Sequence, residues 1–176
     1  MGGIFALKVC VYAICKNESQ FVDRFMDSMS EADYVCVLDT GSSDDTVKKL
    51  RARGAIVGET VVSPWRFDTA RNESLGLIPA DADICCAIDL DEQFHPGWRA
   101  ALERAWQPDT TRARYRYTWS FRPDGSEGMV FWADKIHKNG CYRWASPVHE
   151  TLAYTGEGAE RFVDAAGVQL DHHPDE

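Results

Sequence analysis

Acidic residues directly follow an apolar stretch in the middle of the chain, in the order Asp89-Leu90-Asp91-Glu92. Residues 84–88 before them are short and wholly apolar, which predicts a strand buried on both faces. Carboxylates at positions i and i+2 of an extended chain lie on one face, so Asp89 and Asp91 can bind one cation. Carboxylate oxygens suit Mg²⁺ or Mn²⁺, particularly a metal that also holds substrate phosphates. The alternative is that these acids merely begin the next helix, whose N-terminus favours negative charge.

Length and composition indicate a globular protein. The chain has 176 residues, of which 44% are hydrophobic and 11% aromatic, enough for one domain with its own core. A net charge of −9 argues against a surface that coats nucleic acid or an anionic membrane. No apolar run approaches the ~20 residues of a membrane-spanning helix. The cysteines lie within apolar stretches rather than in zinc-type pairs, which favours reduced thiols in a cytoplasmic protein.

Strand-like and helix-like segments alternate in the first part of the chain. The predicted strands are residues 7–14, 34–38, 55–62 and 84–88, and the predicted helices are residues 19–29, 45–53, 69–77 and 96–106. This alternation is typical of an α/β fold with a mostly parallel central sheet flanked by helices. Ser19 is a suitable N-cap for the first helix, and Pro96 suits the start of the last one.

The pattern becomes β-rich after Pro108. Residues 112–122 alternate strictly, which puts Arg112, Arg114 and Arg116 on one face and mostly aromatic residues on the other. A turn at residues 123–125 then predicts a returning partner strand. The simpler interpretation of the arginines is a solvated strand face, and the alternative is a basic wall beside a phosphate or an anionic acceptor.

Polar clusters follow three of the predicted strands. They are Lys16-Asn17-Glu18, Asp39-Thr40-Gly41-Ser42-Ser43-Asp44 and the acids that begin at Asp89. In an open parallel sheet, ligands bind beyond the carboxyl ends of the strands, so we expect the three clusters to face one site. The sequence contains neither a phosphate-binding Gly-Lys-Ser/Thr loop nor a dinucleotide-binding G-x-G-x-x-G, which disfavours both of those nucleotide folds.

Five short motifs together resemble the GT-A glycosyltransferases of the family-two type, in particular small bacterial or phage forms. They occur in family order as Lys16-Asn17-Glu18, Asp39-Thr40-Gly41-Ser42-Ser43-Asp44, Ala70-Arg71-Asn72, the Asp-x-Asp of Asp89-Leu90-Asp91, and His149-Glu150. The resemblance covers roughly residues 7–150. It implies a single GT-A domain over residues 1–176, with a nucleotide-binding half at residues 7–106 and a β-rich acceptor half at residues 110–176.

The resemblance also implies an activity and residue roles. The activity is metal-dependent transfer of a sugar from a nucleotide-diphosphate donor, such as a UDP-sugar, to an acceptor hydroxyl, with inversion of configuration. Asp39 would contact the base or ribose, and Arg71 would lie near the base or diphosphate. Asp91, and less directly Asp89, would hold Mn²⁺ or Mg²⁺, while Glu150 would be the general base. Further donor contacts fall on the remaining motif positions, Lys16, Asn17, Glu18, Ser42, Asp44 and Leu90.

A histidine pair near the end of the chain could complete the metal site. Late histidines often do so in the GT-A fold, and either His172 or His173 could act as a neutral imidazole ligand. The alternative is a solvated tail. On the acceptor side the candidates are Trp132, Trp144 and His149, although tryptophans more often serve in packing.

Each of the main assignments has a structural alternative. Asp39 could cap the turn after its strand, Arg71 could pair with Glu73 or Asp68 at the surface, and Glu150 could be an ordinary surface acid.

Two other functional classes stay open. A nucleotidyltransferase can share the fold, but it usually carries a glycine-rich basic loop near the first strand, which residues 15–18 do not resemble. The chain could also be a non-catalytic module that binds sugar nucleotides or carbohydrate. The acceptor is open between a glycan, a peptide side chain and a modified nucleobase, and the oligomeric state is not predicted.

Overall fold

The computed structural model describes residues 6–175, and this range contains ten strands and four helices. The strands are β1 (Val9–Cys15), β2 (Tyr34–Asp39), β3 (Ile56–Glu59), β4 (Ile84–Ala87), β5 (Glu92–Phe94), β6 (Arg112–Thr118), β7 (Val130–Lys138), β8 (Tyr142–Ala145), β9 (Thr151–Tyr154) and β10 (Phe162–His172). The helices are α1 (Val22–Ser28), α2 (Thr46–Ala52), α3 (Phe67–Leu75) and α4 (Trp98–Ala105). None of these helices is long and apolar enough to cross a bilayer.

Eight of the described strands form one sheet in the order β3-β2-β1-β4-β7-β6-β10-β5. The neighbours β3, β2, β1 and β4 are all parallel, so their carboxyl ends lie at one edge. Strand β7 pairs antiparallel with β4 and continues the sheet into the β-rich half of the chain. Strands β8 and β9 form a separate two-stranded ribbon. The predicted alternation up to α4 and the later change to β structure are both present.

Strand β1 is buried along its whole length because both faces of the sheet are covered. Val11 belongs to the larger core cluster, together with Phe25 of α1. Tyr12, on the opposite face, belongs to a second cluster with Trp144 and Leu152 of the β8–β9 ribbon. The β8–β9 ribbon therefore covers one face of β1, and α1 covers the other.

Three predicted helix starts differ from the structure by two or three residues, and α3 begins at Phe67 rather than at residue 69. Helix α1 begins at Val22 and has no side-chain cap; the Ser19 amide instead donates to Asp44 at 3.2 Å. Helix α4 begins at Trp98 because Gly97 adopts a left-handed conformation, with φ +86°, which glycine accommodates without strain.

The arginines of β6 are not a free basic face. Each has a carboxylate partner: Arg112 with Asp134 and Glu160, Arg114 with Asp164, and Arg116 with Glu127. Arg112 is buried rather than solvated, since its Nε also donates to the Asp134 carbonyl at 2.7 Å. These ion pairs neutralise the arginine face of β6, which therefore offers no basic wall to an anionic ligand.

Candidate functional site

The ends of β1, β2 and β4 meet around a cavity of about 260 Å³, here called the strand-end cavity. Its polar lining comes from all three polar clusters and from α3: Lys16, Glu18, Thr40, Arg71, Asp89 and Asp91. The parallel strands bring these residues together although they are far apart in sequence. The cavity lies at the sheet edge where ligands bind in open parallel sheets.

The first two loops are joined to each other by side chains. Asn17 has φ +55°, and its Oδ1 accepts a hydrogen bond from the Ser43 amide at 2.7 Å. The Asn17 amide in turn donates to Ser42 Oγ at 2.8 Å. Asn17 and Ser42 therefore hold the rim of the strand-end cavity in shape, and neither lines it.

Asp39 and Asp44 are also engaged within the loop. Asp39 is buried and accepts hydrogen bonds from the amides of Gly41 and Ser42 at 3.0 and 2.8 Å. The Thr46 hydroxyl, supported by the Thr46 and Ser19 amides, lowers the pKa of Asp44 to about 2. Asp39 thus caps the turn after β2. Its neighbour Thr40 lines the cavity, and the donor contacts expected of both acids stay predictions.

Arg71 is buried and bridges two carboxylates. Its guanidinium lies 2.9 Å from Asp89 Oδ1, and its Nε donates to Glu150 Oε1 at 2.8 Å. Burial acts to lower the pKa of Arg71, but Asp89 and Glu150 outweigh it, so the pKa lies above its ordinary value. The surface alternative for Arg71 is wrong, since Asp68 pairs with Arg66 instead. Arg71 therefore links Asp89, which follows β4, to Glu150.

The side chain of Glu92 fixes the backbone at Asp89 through a hydrogen bond. Glu92 accepts hydrogen bonds from the Asp89 amide at 2.8 Å and from the Tyr117 hydroxyl at 2.6 Å. Burial, with a smaller effect of Asp89, raises the pKa of Glu92 to about 7. Leu90 between the two aspartates is fully buried in the core. Its side chain cannot contact a donor, which corrects the donor-binding role expected for it.

The two late histidines occupy different environments. His172 Nε2 lies 3.1 Å from Asp91 Oδ2, and its ring stacks on Trp119 with a centroid distance of 4.4 Å. The His173 ring instead stacks on Phe121 at 4.9 Å. The His173 amide donates to the Asp91 carbonyl at 2.8 Å. Of the two candidates, only His172 presents its imidazole to Asp91.

The side chains around Asp91 suit a divalent cation that also binds a substrate. His172 places Nδ1 3.1 Å from the Trp119 carbonyl and Nε2 3.1 Å from Asp91 Oδ2, and both of these oxygens are acceptors. With the Nδ1 proton donated to Trp119, a cation between Nε2 and Asp91 would satisfy both groups. Burial raises the pKa of Glu18 to about 7, and the negative charges of Asp91 and Asp89 add to this shift. The cavity thus concentrates negative charge.

Within residues 6–175 no three acidic, histidine or cysteine side chains form a complete metal site. Mg²⁺ and similar ions often take only one or two carboxylates and complete their shell with phosphates and water.

A second cavity, of about 350 Å³, adjoins the first and shares Asp89 and Asp91 with it. We call it the aromatic cavity, because its walls include Tyr117, Trp119 and Phe131. Sequence reasoning missed Trp119, Phe131 and Lys135 as lining residues. The alternation of β6 gave a signal for Trp119, but nothing in the sequence distinguishes Lys135 from a surface lysine.

The residues expected at the acceptor side do not line the aromatic cavity, although Trp144 lines a groove together with Glu150 and Lys135. Trp144 is buried, and its Nε1 donates to the Tyr12 hydroxyl at 3.0 Å, so its ring is a packing element and not an open platform. Trp132 is exposed but lies opposite Arg116, on the other face of β7 from Phe131. His149 is exposed, with φ +55°, beside Glu150.

Two further aromatic residues line the strand-end cavity and were missed. Trp65 is 45% exposed and meets Phe67 edge to face, with ring centroids 5.2 Å apart. A tryptophan and a phenylalanine on either side of Arg66, where the loop after β3 enters α3, are the signal that could have identified them. They give the cavity an aromatic wall beside its acids.

Comparison with known proteins identifies the fold. No protein-family model matches the chain. Glucosyl-3-phosphoglycerate synthase from Mycobacterium tuberculosis, solved with Mn²⁺, UDP and phosphoglyceric acid, is 26% identical with a TM-score of 0.52, over 64% of this chain and 44% of the synthase. A mycobacterial protein is 16% identical with a TM-score of 0.62, over 97% of this chain and 69% of its own. This chain has the GT-A fold.

The predicted α/β GT-A class is therefore confirmed. The same synthase with Mg²⁺ and UDP gives the same identity, coverage and TM-score. The chain spans less than half the length of the synthase it matches. In the GT-A fold of this chain, the strand-end cavity lies at the carboxyl edge of the parallel strands, and the aromatic cavity lies against β6 and β7.

Proposed function

We propose that the chain is a metal-dependent glycosyltransferase that moves a sugar from a UDP-sugar to an acceptor hydroxyl. The observation that carries the proposal is the arrangement of Asp89, Asp91 and His172 at the carboxyl edge of the parallel strands. In addition, the synthase that shares the fold was solved with UDP together with Mn²⁺ or Mg²⁺. A cytoplasmic location is part of the proposal and rests on the reduced cysteines alone.

The strand-end cavity would hold the nucleotide. Trp65 offers an aromatic face to the uracil, and base stacking on such faces tolerates a range of rings. Lys16 at the rim supplies a positive charge for the phosphates. The turn capped by Asp39 keeps Thr40 at the cavity wall. The Thr40 amide and hydroxyl both donate to the Cys15 carbonyl, at 2.9 and 3.0 Å, so its hydroxyl oxygen would accept a hydrogen bond from the ribose.

Asp91 and His172 would hold Mn²⁺ or Mg²⁺, with Asp89 directed nearby by its ion pair to Arg71. When bound, such a metal stabilises the negative charge that develops on the departing UDP. Trp119 orients His172 by stacking and through its carbonyl, and outer partners of this kind fix the orientation of a ligand.

Glu150 would act as the general base. Arg71 holds its Oε1, and within the described residues no donor contacts Oε2, which can therefore accept a proton. The acceptor hydroxyl oxygen forms a bond to the anomeric carbon, and the bond from that carbon to the β-phosphate oxygen breaks. UDP leaves with the electron pair, and the hydroxyl proton passes to Glu150. Attack from the face opposite UDP inverts the anomeric configuration; NMR of the product tests this, and retention would contradict it.

Thermal unfolding in the presence of UDP-sugars tests the donor site. We expect UDP-glucose, UDP-galactose or a UDP-N-acetyl sugar to raise the melting temperature in the presence of Mn²⁺, since a ligand specific for the native state stabilises it. Asp91→Asn should abolish the Mn²⁺-dependent part of the shift. Asp45→Asn, at an exposed position that lines neither cavity, is the matched control. Stabilisation without turnover would favour a binding module, and synthesis of UDP-sugar from UTP and a sugar phosphate would favour a nucleotidyltransferase.

A further inference from the structure

The aromatic cavity has two exposed rings at its mouth and a buried one at its wall. Trp119 is 47% exposed and Phe131 is 43% exposed, whereas Tyr117 is buried between them. Tyr117 meets Phe131 edge to face at 5.1 Å and Trp119 at 6.2 Å between ring centroids. The three rings therefore fix one another. Phe131 and the face of Trp119 that does not stack on His172 are left for a ligand.

Lys135 is the cationic residue of this lining, and its ammonium is available. Phe131 and Ala133 line the cavity from one face of β7, and Lys135 joins them at the bulge where the register of β7 against β6 shifts. Within residues 6–175, no hydrogen bond or ion pair engages the Lys135 ammonium, in contrast to the paired arginines of β6, although its charge acts on the nearby carboxyls of Asp89 and Glu92. Lys135 also lines the groove that contains Glu150. It thus lies between the aromatic rings and the proposed base.

We infer that the aromatic cavity binds the acceptor and that this acceptor is a carbohydrate, with a pyranose ring against Trp119 or Phe131 and a hydroxyl in contact with Lys135. The inference rests on the proposed glycosyltransferase function. The C–H bonds on one face of a pyranose carry partial positive charge and pack against the negative face of an aromatic ring. A lysine ammonium has three donors for sugar oxygens. Because the cavity shares Asp89 and Asp91 with the strand-end cavity, a sugar bound here lies next to the donor.

The same surroundings disfavour the other acceptor classes. A peptide often binds by adding a strand to an open sheet edge, but β6 and β7 are interior strands with neighbours on both sides. A nucleic acid requires clustered cations, whereas the chain carries a net charge of −9 and the β6 arginines are all paired. A sugar needs neither feature.

Saturation-transfer NMR tests the inference on the full chain with UDP and Mn²⁺ present. The probes are the methyl glycosides of glucose, galactose, mannose and N-acetylglucosamine, with thymidine and a serine-containing peptide as competing classes. We expect saturation of the pyranose C–H protons of at least one glycoside. Phe131→Ala should weaken its binding about tenfold, the loss of one aromatic contact. Lys135→Met should weaken it by a similar factor. Trp132→Ala removes an equally exposed ring from the other face of β7 and should leave binding unchanged.

The outcomes separate this inference from the proposed function. If the UDP-sugar still stabilises the protein with Mn²⁺ but no glycoside is saturated, the inference fails and the donor site stands. Binding of thymidine or the peptide instead, or a loss in Trp132→Ala that Phe131→Ala does not show, also overturns it. If glycosides bind through Phe131 but no UDP-sugar does, the cavity is a carbohydrate site and the transferase proposal fails. A melting temperature for each variant close to that of the parent excludes misfolding as the cause.

Discussion

Replacing Arg71 by methionine tests the electrostatic core of the site. The substitution keeps a similar apolar volume but leaves Asp89 and Glu150 without the guanidinium that bridges them at 2.9 and 2.8 Å. The side chain of Arg71 is 5% exposed and that of Glu150 is 13% exposed, so water cannot easily replace the cation. Removing one partner of a buried ion pair costs ~3–5 kcal/mol of unfolding free energy. Asp89 is 32% exposed, so we expect the lower end of that range.

The same substitution has a predictable pH dependence. Burial acts to raise the pKa of Asp89, but Arg71, with smaller effects of Lys135 and His172, outweighs it, so the pKa lies below its ordinary value. In the parent, this stabilisation is therefore present above the unfolded-state pKa of ~3.9 and is lost as the pH falls through the lower folded-state pKa. In Arg71→Met, burial is opposed only by the remaining charges of Lys135 and His172, so the pKa of Asp89 should rise. The destabilisation should thus be largest at pH 7 and shrink as the pH is lowered toward 4.

Urea unfolding at pH 7 and at pH 4.5 measures both effects. A loss of about 3 kcal/mol corresponds to a fall of roughly 6–12 °C in melting temperature for a chain of this size. The matched control is Arg66→Met, which removes an ion pair whose arginine is 47% exposed and should cost at most about 1 kcal/mol. A loss in Arg71→Met no larger than in the control, or one that does not change with pH, would refute the buried bridge.

Three further predictions concern the individual roles. Glu150→Gln should lower the turnover rate by about 10²–10⁴-fold in a UDP-release assay while leaving UDP-sugar binding intact, and an unaffected rate would exclude it as the base. His172→Ala should weaken Mn²⁺-dependent stabilisation by UDP, whereas His173→Ala should not, because the His173 ring lies against Phe121; calorimetric titration compares them. Tyr117→Phe removes the 2.6 Å hydrogen bond to Glu92 and should cost about 1–3 kcal/mol in urea unfolding, and a neutral effect would mean that this bond does not support the site.

The strand ends of the first half were predictable because burial and chemistry leave local marks. An apolar run followed by Asp89 and Asp91 is visible in sequence, and parallel pairing then brings it next to the ends of β1 and β2. The order of the motifs pointed to the GT-A fold because each motif is a short stretch that can be seen in the sequence. Which face each side chain takes was harder to predict: Leu90, inside the motif, packs in the core.

The second half was less predictable because its contacts depend on pairing partners far away in sequence. The sequence favoured a solvated Arg112. In the structure, β7 brings Asp134 beside it, and the segment before β10 brings Glu160 beside it. Trp132 and Phe131 are adjacent aromatic residues, and only the register of β7 against β6 decides which one faces the cavity. A one-residue change in register would exchange them.

The most direct test of the account is UDP release from a panel of UDP-sugars with Mn²⁺ and the four methyl glycosides present. We expect that at least one donor is turned over, that a glycosylated methyl glycoside appears in the mass spectrum, and that Asp91→Asn abolishes both signals. Donor binding without UDP release from any donor would contradict the central claim that this GT-A chain is a glycosyltransferase.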